Sequence, residues 1–199
     1  MFLSAAKDEF STQLEFMRRH SFITKVQLSA KSRTVQTLND GEVVLHEDFS
    51  ENFSLKQQSE IMSAHWDQSS VTIFTAVLSS KNEPSKSYAV VCEEYKKDKF
   101  LVAACNRAIV NHAAQNGTSF NKVHFFSDGA AGQFKNCYNL STITNPTAMI
   151  HEEVKEADWN FFATSHGKGA VDGVGGTVKR AVFCRILQKK KKKKKSSGQ

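Results

Sequence analysis

Between Glu42 and Leu187 the sequence switches between two apolar periods in a fixed order. Three strand-like runs come first: Glu42-Val-Val-Leu-His-Glu-Asp48-Phe-Ser, Val71-Thr-Ile-Phe-Thr-Ala-Val-Leu78 and Ser87-Tyr-Ala-Val-Val-Cys-Glu93. Each is rich in β-branched and apolar residues, which suit a pleated, half-buried surface. The turn Asn82-Glu83-Pro84-Ser85 and short connections predict an antiparallel meander. A helical period follows. Asp98 can cap it, Leu101, Ala104 or Cys105, Ala108 and His112 share a face, and Asn116-Gly117 closes it. Lys122-Val-His-Phe-Phe-Ser-Asp128 reads as a fourth strand and Ala130 to Leu140 as a short helix. Trp159-Asn-Phe-Phe-Ala-Thr164 reads as a fifth strand. Val171 to Leu187 reads as a last helix, interrupted near its start by Gly173, Gly175 and Gly176.

The helix after strand three is long enough for a crossover, so strand four can lie beside and parallel to strand one. The expected fold is α/β: a five-stranded mixed sheet of order 3-2-1-4-5 flanked by helices, the ribonuclease H-like order. Asp48 then sits on strand one and Asp128 at the end of strand four, with the strands about 4.8 Å apart. Asp172 joins them from the start of the last helix. Two carboxylates from adjacent strands and a third from a helix can hold two Mg²⁺ (or Mn²⁺) ions about 4 Å apart. Such a pair activates a water or a 3′-hydroxyl in phosphodiester chemistry. Spacing alone leaves other roles open: Asp128-Gly is also a turn dipeptide, and Asp172 is also a helix N-cap.

Residues 1–40 form an N-terminal helical segment in which Phe10, Leu14 and Met17 fall at helical spacing, ended by the turn Asn39-Asp40-Gly41. Residues 41–188 form the α/β domain, and residues 189–199 a low-complexity tail expected to be disordered. The formal charge is +7, but Lys189 to Lys195 are seven consecutive lysines. Without them 20 basic residues face 20 acidic ones, which excludes a strongly basic DNA-wrapping domain. The lysine run reads as a nuclear-localisation or DNA-affinity patch, or as the product of an adenine-rich stretch of a truncated reading frame. Cys92, Cys105, Cys137 and Cys184 form no CxxC pair, which speaks against a zinc ribbon. No run approaches the ~18 apolar residues of a membrane helix. The start, MFLSAAKDEF, reaches an acid too soon for a signal sequence. An intracellular protein with no membrane partner is expected; the oligomeric state stays open.

Three blocks carry a resemblance. Asp48-Phe-Ser-Glu-Asn-Phe, Phe126-Ser-Asp128-Gly-Ala-Ala-Gly-Gln-Phe-Lys-Asn136, and the stretch from Trp159 through Ser165-His-Gly-Lys-Gly to Asp172-Gly-Val-Gly-Gly-Thr-Val-Lys-Arg180 are similar to blocks of transposon-derived animal proteins. The catalytic-like region of those proteins resembles a DDE transposase with a ribonuclease H-like core. The resemblance implies Asp48, Asp128 and Asp172 as the three metal-binding and catalytic acids. It implies Mg²⁺ or Mn²⁺ as cofactor and DNA phosphodiesters as substrate, in nuclease or strand-transfer chemistry. Its alternative is a domesticated remnant that binds without catalysis. The N-terminal DNA-recognition region of such enzymes has no counterpart here.

Around these acids, the glycine-rich loop holding His166 and Lys168 precedes a helix, where backbone N–H groups attract anions. Lys179 and Arg180 lie further along that helix. These four are the candidate DNA-phosphate residues. Gln133, Lys135 and Asn136 face the substrate strand or simply form a polar surface. Trp66 and Trp159 read as core, and His124 as a buried, hydrogen-bonded histidine.

Overall fold

A computed structural model describes residues 2–54, 70–163 and 169–196. A long helix α1 (Phe2–Gln36) leads into strand β1 (Glu42–Phe49). Then come the two-residue strand β2 (Phe53–Ser54), β3 (Ser70–Ser80) and β4 (Lys86–Cys92). Helix α2 (Lys99–Gln115) crosses to β5 (Lys122–Ser127). The short helices α3 (Cys137–Thr144) and α4 (Pro146–Met149) precede β6 (Glu156–Phe161), and α5 (Ala170–Ser196) ends the described chain.

The result is an α/β fold with an open, mixed, six-stranded sheet. β3 runs antiparallel to β1, β4 and β2. β1 pairs in parallel with β5, and β5 with β6. The turns that set this up are chemically encoded. Gly41 and Gly117 hold φ of +84° and +82°, a region where a Cβ is costly. Asp98 caps α2 by accepting the N–H groups of Phe100 and Leu101. That fixes the helix so that Val102, Cys105, Ile109, Val110 and Ala113 are buried.

Alternation along β1 divides the sheet into two faces. Val43 and Leu45 join Phe74, Leu78, Val123, Phe125 and the buried side of α2 in the main core. Val44 points the other way and packs with Leu38, Phe126 and Phe162 beneath the end of α1. α5 covers this second face and lies against β3, β4 and β1. Its close approach depends on Gly175, where a Cβ would stand 2.5 Å from Ser50 Oγ.

Four details differ from the sequence reading. The sheet has six strands rather than five, because Phe53 and Ser54 pair with Val71 and Ser70. The last strand covers Glu156–Phe161 rather than residues 159–164, since pairing with β5 begins at Lys122 opposite Glu156. Residues 130–135 form a tight turn rather than helix: the Ala130 carbonyl accepts three successive N–H groups, from Gln133, Phe134 and Lys135, and Phe134 is fully buried. Asn136 then caps a fresh helix through the Asn139 N–H. Finally, α5 runs through Lys189–Lys195 to Ser196, where the sequence suggested disorder. Extending an existing helix needs no new nucleus, and cations at a helix C-terminus suit the macrodipole. No helix among the described residues is long and apolar enough to cross a membrane.

Candidate active site

Asp48 and Asp128 lie on the face covered by α5. On β1, Val44 and His46 precede Asp48 on this face; on β5, Phe126 precedes Asp128. The parallel register sets His46 opposite Phe126. Asp48 follows two residues later on β1 and Asp128 comes just past the end of β5, close enough for its charge to act on Asp48. Asp172 enters from above in the first turn of α5.

Each carboxylate is oriented by a backbone N–H. Asp48 Oδ1 accepts from Phe49 N at 2.7 Å, and the Thr75 hydroxyl donates to the Asp48 carbonyl at 3.1 Å. Asp128 Oδ1 accepts from Ala130 N at 2.9 Å, so the Asp128-Gly129 turn aims the acid as well as ending the strand. Asp172 Oδ2 accepts from Gly169 N at 2.8 Å, so it is not the N-cap the sequence left open but a first-turn acid reaching back to the residue before α5. Asp48 and Asp128 are half-buried and Asp172 is exposed.

The electrostatics tie the three together. Burial pushes the Asp48 carboxyl up to about 6, and the negative charges of Asp128 and Asp172 push the same way. The Phe49 N–H and the Lys97 ammonium oppose the shift without cancelling it. Two acids that disfavour the ionisation of a third are a cluster short of positive charge. Their oxygens are hard donors of the kind Mg²⁺ takes. As the side chains stand, no group of three His, Cys, Asp or Glu among the described residues is close enough to hold one ion.

Lys97 was not legible as a site residue. It sits just before the α2 cap, donates to the Ser50 carbonyl at 2.8 Å and lies 5.6 Å over the Phe49 ring. Burial lowers its pKa, and it feels Asp48, Lys179 and Glu51. Lys179 reaches Glu51 at 3.8 Å, so it stands at the border of the cluster. Arg180, the next residue on α5, is exposed. His166 and Lys168 lie outside the described residues.

Two more residues escaped the sequence reading. His46, two places before Asp48 on the same face, is 2% exposed, and its Nδ1 lies 2.6 Å from Lys31 Nζ of α1. Its alternation with Asp48 was the available signal. Glu47 points to the opposite face and is fully buried, with neither carboxylate oxygen hydrogen-bonded. Asn106 of α2 faces it without closing a good hydrogen bond, and burial drives the Glu47 pKa well up. The predicted core role of Trp159 holds in part: it is half-buried and stacks on Phe125. His124 bonds Asp158 of β6 through Nδ1 at 2.5 Å.

Among known proteins, the model of a family described as a domain of unknown function, DUF8701, matches residues 27–198. No curated protein and no solved structure matches the chain.

Proposed function

Because the chain belongs to the DUF8701 family, whose description prescribes no activity, we propose a function from the acid cluster itself. The domain is a transposase-derived core of ribonuclease H-like type, with the antiparallel strands on one side of β1 and the parallel additions on the other. It acts on DNA phosphodiesters with two divalent metals held by Asp48, Asp128 and Asp172. The observation that carries this reading is the meeting of Asp48 near the end of β1, Asp128 just past β5 and Asp172 in the first turn of α5, close enough for the last two to act on the charge of Asp48. A divalent cation relieves that repulsion, and its chemistry is to activate water or a 3′-hydroxyl and stabilise the leaving oxygen. Lys97 and Lys179 then flank the acids as phosphate contacts.

A second reading has its own support. All three acids spend an oxygen on a nearby backbone N–H, and Asp172 stays in solvent. A domesticated remnant that binds nucleic acid without cleaving it fits those features. Thermal denaturation with Mg²⁺ or Mn²⁺ separates the two. The proposed enzyme core melts several degrees higher with the ion, following the mass-action gain of a ligand that binds only the folded state, and Asp128→Asn abolishes the rise. An unchanged response in Asp128→Asn refutes the metal assignment and leaves the remnant reading.

A further inference from the structure

The first half of α1 stands clear of the sheet. Residues 6–19 are exposed throughout. Further along, one side of the helix comes down on the body. Thr24, Gln27 and Lys31 are half-buried, Gln27 Oε1 accepts from Ala163 N, and Lys31 Nζ reaches His46 Nδ1. Of the fifteen exposed large apolar side chains among the described residues, eight lie on this one helix. A helix that buries nothing is marginal in water, so a partner must cover the free half.

At about 3.6 residues per turn, Phe10, Leu14, Met17, Ser21, Thr24 and Leu28 form one seam, with the alternating steps of four and three that mark a coiled coil. The seam lies about a quarter turn from the side that Gln27 and Lys31 fix to the body. Phe10 and Met17 on it are 67% and 63% exposed. Phe16 and Ile23 lie instead on the flank of Gln27 and Ala30, where the helix approaches the sheet. Large residues fill the first half of the seam, and the small Ser21 and Thr24 follow. Beside the seam, all on one flank, lie Asp8, Glu15, Arg18 and Lys25, acids first and bases after. The whole helix repeats this division: its acids Asp8, Glu9 and Glu15 precede Met17, and every lysine and arginine but Lys7 follows it.

We propose that α1 pairs with α1 of a second copy of this chain, as an antiparallel coiled coil with its two-fold axis at Met17. About that axis Phe10 meets Thr24 of the second copy and Leu14 meets its Ser21, large on small, while Met17 meets its own counterpart. In an antiparallel pair like flanks face each other. The same axis therefore brings Asp8 to Lys25 and Glu15 to Arg18 across the pair, so the apolar and the charged pattern choose one register independently. A parallel pair would set acid level with acid and base level with base, which like-charge repulsion rejects. The two sheets stand at opposite ends of the pair, and the pairing is independent of the chemistry at Asp48.

Sedimentation of the full chain at micromolar concentration gives a dimer. Asp8→Lys with Glu15→Lys makes the flank wholly basic and yields a monomer; Arg18→Glu with Lys25→Glu makes it wholly acidic and yields a monomer too. Mixed in equal amounts, the two variants restore a dimer. All four residues are exposed, so the sheet domain keeps its fold in both, which unchanged near-ultraviolet circular dichroism verifies. Cysteine cross-linking with diamide reads the orientation, counted against the wild-type chain, whose exposed Cys137 and Cys184 set the background. Met17→Cys cross-links to its counterpart on the axis, whereas Phe10→Cys, about 21 Å from its own in the antiparallel register, does not. A wild-type chain that stays monomeric, or that forms open-ended assemblies, overturns the pairing. So does a dimer that survives both charge variants, or a mixture of the two that stays monomeric. Cross-linking of Phe10→Cys as readily as Met17→Cys overturns it as well.

Discussion

Asp48 keeps its proton to about pH 6, first because burial disfavours the carboxylate and then because Asp128 and Asp172 repel it. An unfolded aspartate releases its proton near pH 4. Between these values the native state binds more protons than the unfolded one, so stability falls as pH rises through the window and stays lower above it. Calorimetric melting from about pH 4 to 7 checks this. The wild type loses stability relative to Asp48→Asn by about 1–2 kcal/mol across the window, after allowance for the partial exposure of the site. Glu47 acts in the same sense from the opposite face, because burial raises its pKa as well. Glu47→Gln, which removes the charge and keeps the shape, stabilises the domain increasingly as pH rises above the ordinary carboxylate range. The Glu47 effect was not legible in the sequence. Glu47 looks there like a polar residue in a strand, and only the packing of α2 over β1 makes it a buried acid.

Helix α5 contains three glycines within one turn, and their surroundings differ. A Cβ at Gly175 would meet Ser50 Oγ at 2.5 Å and Ser50 Cβ at 2.9 Å, whereas at Gly173 or Gly176 nothing lies within 4 Å. Gly175→Ala therefore pushes α5 off the sheet and costs about 1–3 kcal/mol, more than the helix propensity it gains. Gly176→Ala gains up to about 1 kcal/mol from that propensity alone. Urea denaturation of the two variants reads the opposite signs; a loss of stability in both would mean that α5 packs differently from the arrangement described. The sequence marks these glycines only as an interruption of a helix, because the partner that sets Gly175 apart, Ser50, is more than a hundred residues away. The same limit applies to other elements. The apolar runs of β1, β3 and β5 announce strands directly, whereas β6 begins with Glu156 and Asp158, acids that hide it until Lys122 and His124 are seen beside them. The acid pair was legible because it needed only two strand ends and a crossover. Lys97 was not, since nothing local marks a lysine before a helix cap, and His46 was marked only by its alternation with Asp48.

Across the whole molecule, positive charge is concentrated at one end. The seven lysines from Lys189 to Lys195 account for the entire +7, and the remaining charges balance. Removing residues 189–199 leaves the melting temperature nearly unchanged, because among the described residues of α5 the buried ones, Val171 and Gly175, lie near its start. It also removes most retention on a DNA column at low salt, since phosphate binding by lysine is driven by counterion release. Undiminished retention after the deletion would place the DNA-binding surface on the neutral body, around Lys97 and Lys179. Because α5 is one continuous helix from Ala170 to Ser196, it is also a ruler. From Asp172 to Lys195 it advances about 35 Å at 1.5 Å per residue. A duplex rises about 3.4 Å per base pair, so the same length corresponds to about ten base pairs, one helical turn, of a duplex laid along α5. On the proposed function, the phosphate nearest the acids would then lie on the same side of the duplex as those nearest the lysine run, at a distance set by the length of a single helix.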